Sequence, residues 1–69
     1  MMADTPEEAA LRGYTAGAKP RVLSVRMIDD TTAEVIVDTE PSHRMMSICS
    51  RSEDGQWFES SASGPLAAP

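Results

Sequence analysis

The sequence predicts a small α+β domain that is mainly β, in which a short N-terminal helix precedes a four-stranded antiparallel meander. Three patterns support this fold class. A helix-start signature stands near the N-terminus, two runs of alternating apolar and polar residues follow it, and an Asp-Gly dipeptide near the C-terminus is typical of a hairpin turn. The predicted strands cover residues of about 21–28, 33–38, 45–51 and 56–61.

The helix is predicted to begin after Thr5, whose side chain can cap it. Pro6 takes the first helical position, where a missing N–H group costs nothing, and Glu8 stands at the capping-box distance from Thr5. Gly13 is the predicted C′ residue that ends the helix. Because two turns of helix are marginal in water, this element needs to pack against the sheet.

The first two strands alternate with a period of two, and matching of side chains sets their register. The favoured register opposes Val25 with Val35. It also gives the pairs Leu23 with Val37, Met27 with Ala33, and Arg26 with Glu34. A strict two-residue loop at Asp30-Thr31 would break these matches, so a loop of three or five residues is predicted.

The last two strands are predicted to join through a type I′ turn at Asp54-Gly55. This turn opposes Arg51 with Phe58 and Ser52 with Trp57. It therefore predicts a cation–π contact between Arg51 and Phe58. Residues 1–4 are expected to form a disordered N-terminus, residues 5–61 a single domain, and residues 62–69 a flexible tail.

Composition excludes several classes of function. The chain has 69 residues, and 11 acidic against 6 basic residues give it a formal net charge of -5. This acidic balance argues against binding to nucleic acid or to anionic membranes. The chain has no apolar run of about 20 residues and no secretory signal. Its lone cysteine, Cys49, has no intramolecular disulfide partner, and together these features predict a cytoplasmic protein.

A chain of this length has a marginal core, and small domains usually rely on a disulfide, a metal or self-association. The predicted sheet also has apolar residues on both faces, which one short helix cannot cover. We therefore expect a homodimer, or docking of the sheet on a partner protein; scattered surface apolar residues are the alternative. The candidate interface or ligand contacts are Val22, Ile28, Ile36, Trp57 and Phe58.

No residue pattern indicates catalysis or a cofactor. His43 and Cys49 suggest a nucleophilic dyad, and with Met45 and Met46 a Cu(I) site, but neither pairing has an orienting group or a recognised spacing. The acidic residues lack the spacing of an EF-hand. The sequence therefore predicts no catalytic, cofactor-binding or metal-binding residue.

Residues 32–59 contain the runs Thr32–Asp38 and Glu53–Glu59, the second of which includes Asp-Gly-Gln-Trp. These runs resemble the closing strands of SnoaL-like domains of the nuclear-transport-factor superfamily, whose curved sheet and helices enclose a pocket. The resemblance implies a related sheet that dimerises through its face, and it carries no catalytic residue over to this chain.

The sequence does not determine a function. It favours a small non-enzymatic interaction module that self-associates or docks on a partner protein through its sheet. The alternative is a minimal SnoaL-like ligand-binding or lyase-type domain, with a pocket formed in the oligomer around Trp57, Phe58 and Cys49.

Overall fold

The computed structural model describes residues 3–14, 17, 19–39 and 43–64. One helix is followed by four strands, each antiparallel to the next, and the order of the strands in the sheet follows the chain. The predicted fold class is thus confirmed, with strands that extend one or two residues beyond most predicted limits. The elements are α1 (Pro6–Leu11), β1 (Arg21–Asp29), β2 (Thr32–Thr39), β3 (His43–Arg51) and β4 (Trp57–Ser63).

The helix begins and ends as predicted. The side chain of Thr5 accepts a hydrogen bond from the N–H of Glu8 at 3.2 Å, and Pro6 opens the first turn. Arg12 is the C-cap, which places Gly13 at the C′ position. Capping therefore sets both limits of an element that has only six residues.

The central register of β1 and β2 is the predicted one, since Val25 opposes Val35 and Met27 opposes Ala33. The predicted odd-length loop is wrong. Asp29 pairs with Thr32 across a two-residue loop, and a bulge at Ile28 supplies the extra residue that keeps the register.

Hydrogen bonding by Asp29 explains the short loop between β1 and β2. The Oδ1 atom of Asp29 accepts from the N–H of Thr31 at 2.8 Å and from its hydroxyl at 3.1 Å. Neither Asp30 nor Thr31 has a positive φ. The loop thus avoids the left-handed conformation that a β-branched residue such as Thr31 disfavours.

A second bulge, at Leu23, overturns another predicted pair. Val22, and not Leu23, opposes Val37, and the next pair joins Ser24 to Ile36. Because the bulge adds one residue to β1, Val22 turns toward the core, where it packs while partly buried.

The hairpin between β3 and β4 has a three-residue loop, so the predicted type I′ turn is wrong. The N–H of Ser52 donates to the carbonyl of Gln56 at 2.8 Å, and the N–H of Gly55 donates to the carbonyl of Ser52 at 3.0 Å. Gly55 has a φ of 86°, whereas Asp54 has a negative φ. This arrangement is typical of a turn that ends in a glycine bulge.

The longer loop shifts the pairing by one residue. Arg51 opposes Trp57, and Ser50 opposes Phe58. The predicted Arg51–Phe58 pair and its cation–π contact are therefore wrong, and Trp57, not Phe58, lies on the same face as Arg51.

One face of the sheet, here called the core face, packs against α1. Its buried residues alternate along the strands with residues of the opposite face, here called the open face. The helix contributes Pro6, Ala9 and Ala10 to the same core. The buried residues of the core face are Ala33, Val35, Val37, Thr39, Ser47, Cys49 and Trp57.

The N-terminal residues close one end of β4. The N–H of Ala3 donates to the carbonyl of Trp57 at 2.9 Å, and the N–H of Trp57 donates to the carbonyl of Ala3 at 2.7 Å. Ala3 thus forms a bridge with the first residue of β4, and residues 62 and 63 are the last two of that strand. Residues 1–2 and 65–69 of the predicted ends lie outside the described residues.

Within the described part of the chain, no helix combines the length and apolar character that crossing a membrane requires.

Candidate functional site

Strand β1 lies at one edge of the sheet and is nine residues long. Every residue of β1 except Val22 is exposed. Among the described residues only β2 pairs with it, so its outer row of N–H and C=O groups faces away from the sheet. Such a row is a template for pairing with another strand.

The exposed apolar side chains concentrate on this same strand. Five large hydrophobic side chains are exposed among the described residues, and four of them belong to β1. Their exposed fractions are 41% for Leu23, 38% for Val25, 52% for Met27 and 52% for Ile28; the fifth, Phe58 on β4, has 36%. Within the part of the chain that the structure describes, an unpaired strand edge and an apolar surface therefore coincide.

The shortness of α1 explains why the apolar side chains of β1 stay uncovered. Six residues of helix are about 9 Å long, whereas four strands span roughly 14 Å. Val25 and Met27 lie on the core face opposite the buried Val35 and Ala33, yet both are exposed. The sequence predicted both of these pairs, but neither Val25 nor Met27 was among the predicted interface contacts. The ratio of helix length to sheet width was the signal that could have found them.

Two ion pairs join β1 to β2 on the open face. Arg21 contacts Asp38 at 3.4 Å and Arg26 contacts Glu34 at 3.3 Å, and the second pair was predicted from the register. Both arginine side chains are more than two-thirds exposed, so each pair contributes about 0–1 kcal/mol. These pairs leave the guanidinium groups accessible at the rim of the strand.

The predicted interface residues divide into two groups. Trp57 is 6% exposed in the core, and Val22 packs against that core while it stays partly exposed. Ile28 and Phe58 are exposed, and Ile36 is half-buried on the open face. The structure brings Ile28 together with the other exposed residues of β1 but leaves Phe58 on the opposite edge strand.

Cys49 is fully buried, and its thiol resists ionisation. Its Sγ atom donates to the carbonyl of Pro6 at 3.5 Å. Burial, followed by the negative charges of Glu59 and Glu7, raises the pKa of the Cys49 thiol to about 11. A nucleophilic cysteine needs the opposite shift, so this thiol serves as a core residue.

The suggested ligand and dyad partners of Cys49 are also distant from it or face away. Positions 43 and 49 belong to the same strand, and six residues of strand separate them by about 20 Å. Met45 opposes Val37 and Met46 opposes Ile36, so the two methionines belong to opposite faces. The described residues contain no group of three or more His, Cys, Asp or Glu side chains that could hold a metal ion.

A small polar cluster interrupts the core beneath the C-terminal end of α1. Ser47 is fully buried and donates to Oε2 of Glu59 at 2.6 Å. Burial and the charge of Glu59 raise the pKa of Tyr14, while a hydrogen bond with Ser47 acts in the other direction. The cluster satisfies a buried hydroxyl group and so has a structural role.

Two depressions in the surface fall short of an ordinary ligand site. One of about 230 Å³ lies beside α1, below the roughly 300 Å³ at which such sites begin. The other, of about 440 Å³, is lined by hairpin residues without large apolar side chains. Neither unites Trp57, Phe58 and Cys49, because Phe58 alternates with Trp57 along β4 while Cys49 and Trp57 are buried on the core face.

Comparison with known proteins finds no matching family model, no matching curated protein and no matching solved structure.

Proposed function

We propose that this chain is a small interaction module without catalytic activity that binds another protein chain along the edge of β1. The observation that carries the proposal is that, among the described residues, the outer edge of the nine-residue strand β1 is unpaired and the same strand has four exposed apolar side chains. Long apolar edges are normally shielded in monomeric proteins, because they invite pairing.

Binding at this edge follows the geometry of strand addition. A partner strand forms backbone hydrogen bonds with β1, while its side chains pack against the apolar ones of β1. Covering a half-exposed side chain such as Met27 or Ile28 contributes about 1 kcal/mol. Four such side chains contribute about 4 kcal/mol together, and the row of backbone hydrogen bonds adds to this and sets the register.

The burial and hydrogen bonding of Cys49 and Glu59 support a binding role over a catalytic one. The Cys49 thiol is buried with a raised pKa, and Glu59 is engaged by Ser47. The resemblance of residues 32–59 to SnoaL-like domains stays a prediction. We do not propose ligand binding, because the residues named for its pocket lie on different faces of the sheet.

Site-specific photocrosslinking tests this proposal in cells that produce the full chain. A photoreactive benzoylphenylalanine replaces Met27 in one variant and Glu53, an exposed residue of the β3–β4 loop, in the control. We expect a covalent adduct with a second protein chain from position 27 and none from position 53. Adding Val25→Lys to the first variant is expected to abolish the adduct. Absence of an adduct at position 27, or equal adducts at both positions, would contradict the proposal.

A further inference from the structure

We propose that the chain that pairs with β1 is a second copy of this protein, and that the two β1 strands pair antiparallel about a two-fold axis at Val25. This inference rests on the proposed function, since it requires β1 to be the binding edge. The resulting dimer has one continuous eight-stranded sheet, because each copy contributes its four strands.

The two ends of β1 carry opposite charges, so they are complementary when two β1 strands pair antiparallel. The strand begins with Arg21 and ends with Asp29, and Val25 is its middle residue. Antiparallel pairing about Val25 places Arg21 opposite Asp29 of the partner subunit, and by symmetry this contact occurs twice. Both side chains are exposed, and this contact would add to those that Arg21 makes with Asp38 and Asp29 with Thr31 in their own chain.

The apolar residues are complementary in the same register. Val25 opposes Val25 of the partner subunit across the axis, where two β-branched side chains pack well. Counting outward gives two further apolar pairs, Leu23 with Met27 and Val22 with Ile28, and one polar pair, Ser24 with Arg26.

Neighbouring registers lose this match. A shift of one residue in either direction opposes Arg26 with Leu23 or with Val25, and it moves Arg21 away from Asp29. A one-residue slip also exchanges the faces of all side chains in the second strand. The register centred on Val25 is therefore the favoured one.

The bulges of β1 leave the centre of this pairing regular. They lie at Leu23 and Ile28, so Ser24, Val25 and Arg26 have unbroken pairing with β2. These three residues straddle the proposed axis. Bulges increase local twist, so the backbone pairing concentrates at the centre while the outer residues meet through their side chains.

The other edge of the sheet explains why the assembly closes at two copies. Strand β4 is paired at its first residue by Ala3, has a bulge at Ser60, and is rich in serine. It is thus a poor partner for β1. Because the described residues form one apolar edge, on β1, pairing of like edges gives a closed dimer and not a filament.

Cysteine crosslinking of the purified full chain tests the register. Val25→Cys alone is expected to form a disulfide-linked dimer under mild oxidation, because the residue opposes its own copy. Ser24→Cys and Arg26→Cys are each expected to stay unlinked alone and to link when mixed, since residues 24 and 26 oppose each other and like residues are diagonal at about 7–8 Å. The native Cys49 does not interfere, because it is buried.

Sedimentation equilibrium measures the strength of the pairing. We expect a dimer of the 7.4 kDa chain at micromolar concentration and a dissociation constant at least about 100-fold higher in Val25→Lys, which sets two lysines face to face on the axis. Phe58→Lys is the matched control, because it adds the same charge at a similarly exposed apolar residue on β4. Its dissociation constant is expected to stay within about 3-fold of the wild type.

The outcomes separate this inference from the proposed function. A monomer at every concentration, a dimer that Val25→Lys leaves intact, or efficient linkage of Ser24→Cys alone overturns the self-pairing. If position 27 then crosslinks to a different protein in cells, the binding role of β1 stands without the homodimer. If position 27 crosslinks to nothing, both proposals fail.

Discussion

Trp57 and Phe58 are neighbours in β4 with opposite environments. Trp57 is buried in a core cluster whose other members among the described residues are small, mostly alanine and valine, whereas Phe58 is 36% exposed. An aromatic ring buries 150–250 Å², about as much as several alanines together. The stability of this domain therefore depends strongly on one side chain.

The two aromatic residues are expected to respond differently to truncation. Trp57→Ala should lower the free energy of unfolding by about 3–5 kcal/mol, which is close to the whole stability of a domain of this size. Phe58→Ala should lower it by less than about 1 kcal/mol. Urea unfolding followed by circular dichroism measures both values. Equal losses would contradict the burial of Trp57.

The buried thiol of Cys49 gives the domain a weakness at alkaline pH. In the unfolded chain the thiol ionises near pH 9, whereas in the folded chain its pKa is raised to about 11. The folded state thus retains a proton that the unfolded state loses, and stability falls as pH rises between these two values. At lower pH both states hold the proton, and this contribution is fully present.

Comparison with Cys49→Ala isolates this effect. The free energy of unfolding of the wild type should fall more steeply than that of the variant between about pH 9 and 11. Tyr14, whose pKa is also raised, contributes the same alkaline loss to both proteins and cancels in the difference. Denaturant unfolding at several pH values provides the measurement, and parallel curves for the two proteins would refute it.

At the level of elements, patterns within one segment were predictable and pairings that depend on a single extra residue were not. The cap at Thr5 and the central pairs of β1 and β2 follow from local spacing and side-chain matching. A bulge such as that at Leu23 has no residue signature, because almost any side chain fits its backbone. The Asp-Gly dipeptide likewise fits both a two-residue and a three-residue loop. The choice of the shorter loop shifted the predicted partners of Trp57 and Phe58 on β3.

The candidate site was predicted less well than the fold, because it depends on how the helix and the sheet pack together and not on the pattern within one strand. Alternation of residues shows which side chains share a face, and it correctly grouped Val25 and Met27 with Val35. It does not show how far a helix reaches across that face. Exposure of β1 is a property of the assembled layers, so it was missed, and Ile28 was found as an exposed residue without its neighbours.

The β3–β4 loop depends on the left-handed conformation of one glycine. Gly55 has a φ of 86°, where a side chain costs about 1–2 kcal/mol even though no atom lies within 4 Å of an added Cβ. Gly55→Ala should therefore lower the free energy of unfolding by about that amount. Gly17→Ala, with equal space and no left-handed φ, is the control and should change it by less than about 0.5 kcal/mol in thermal or urea unfolding. Similar effects in both variants would contradict the glycine bulge.

For the whole molecule, the small core and the exposed strand have the same cause, which is the short helix. A six-residue helix covers too little of a four-stranded sheet, which leaves apolar surface on β1 and limits the stability of a single copy. The proposed pairing of two copies would correct both, because the same side chains would then contribute to a shared interior. The net charge of -5 per chain keeps the rest of the surface repulsive between copies.

Thermal unfolding should therefore depend on protein concentration. A dimer that unfolds to separate chains has a Tm that rises with concentration by mass action. We expect such a rise for the wild type over a 100-fold range of concentration and a constant Tm for Val25→Lys. Differential scanning calorimetry at several concentrations makes the comparison, and a wild-type Tm that does not move would argue for a stable single copy.

The bulge at Ile28 decides which changes in length the hairpin between β1 and β2 can accept. Deleting Ile28 would remove a residue that has no partner, so Asp29 would still oppose Thr32 and Met27 would still oppose Ala33. Deleting the regularly paired Arg26 would instead shift everything upstream, so that Val25 would emerge on the side now occupied by arginines. Loss of Ile28 should thus be tolerated in descendants of the chain, whereas insertions and deletions in the regularly paired part of β1 should be rejected. In that part of the strand, the number of residues matters more than their identity.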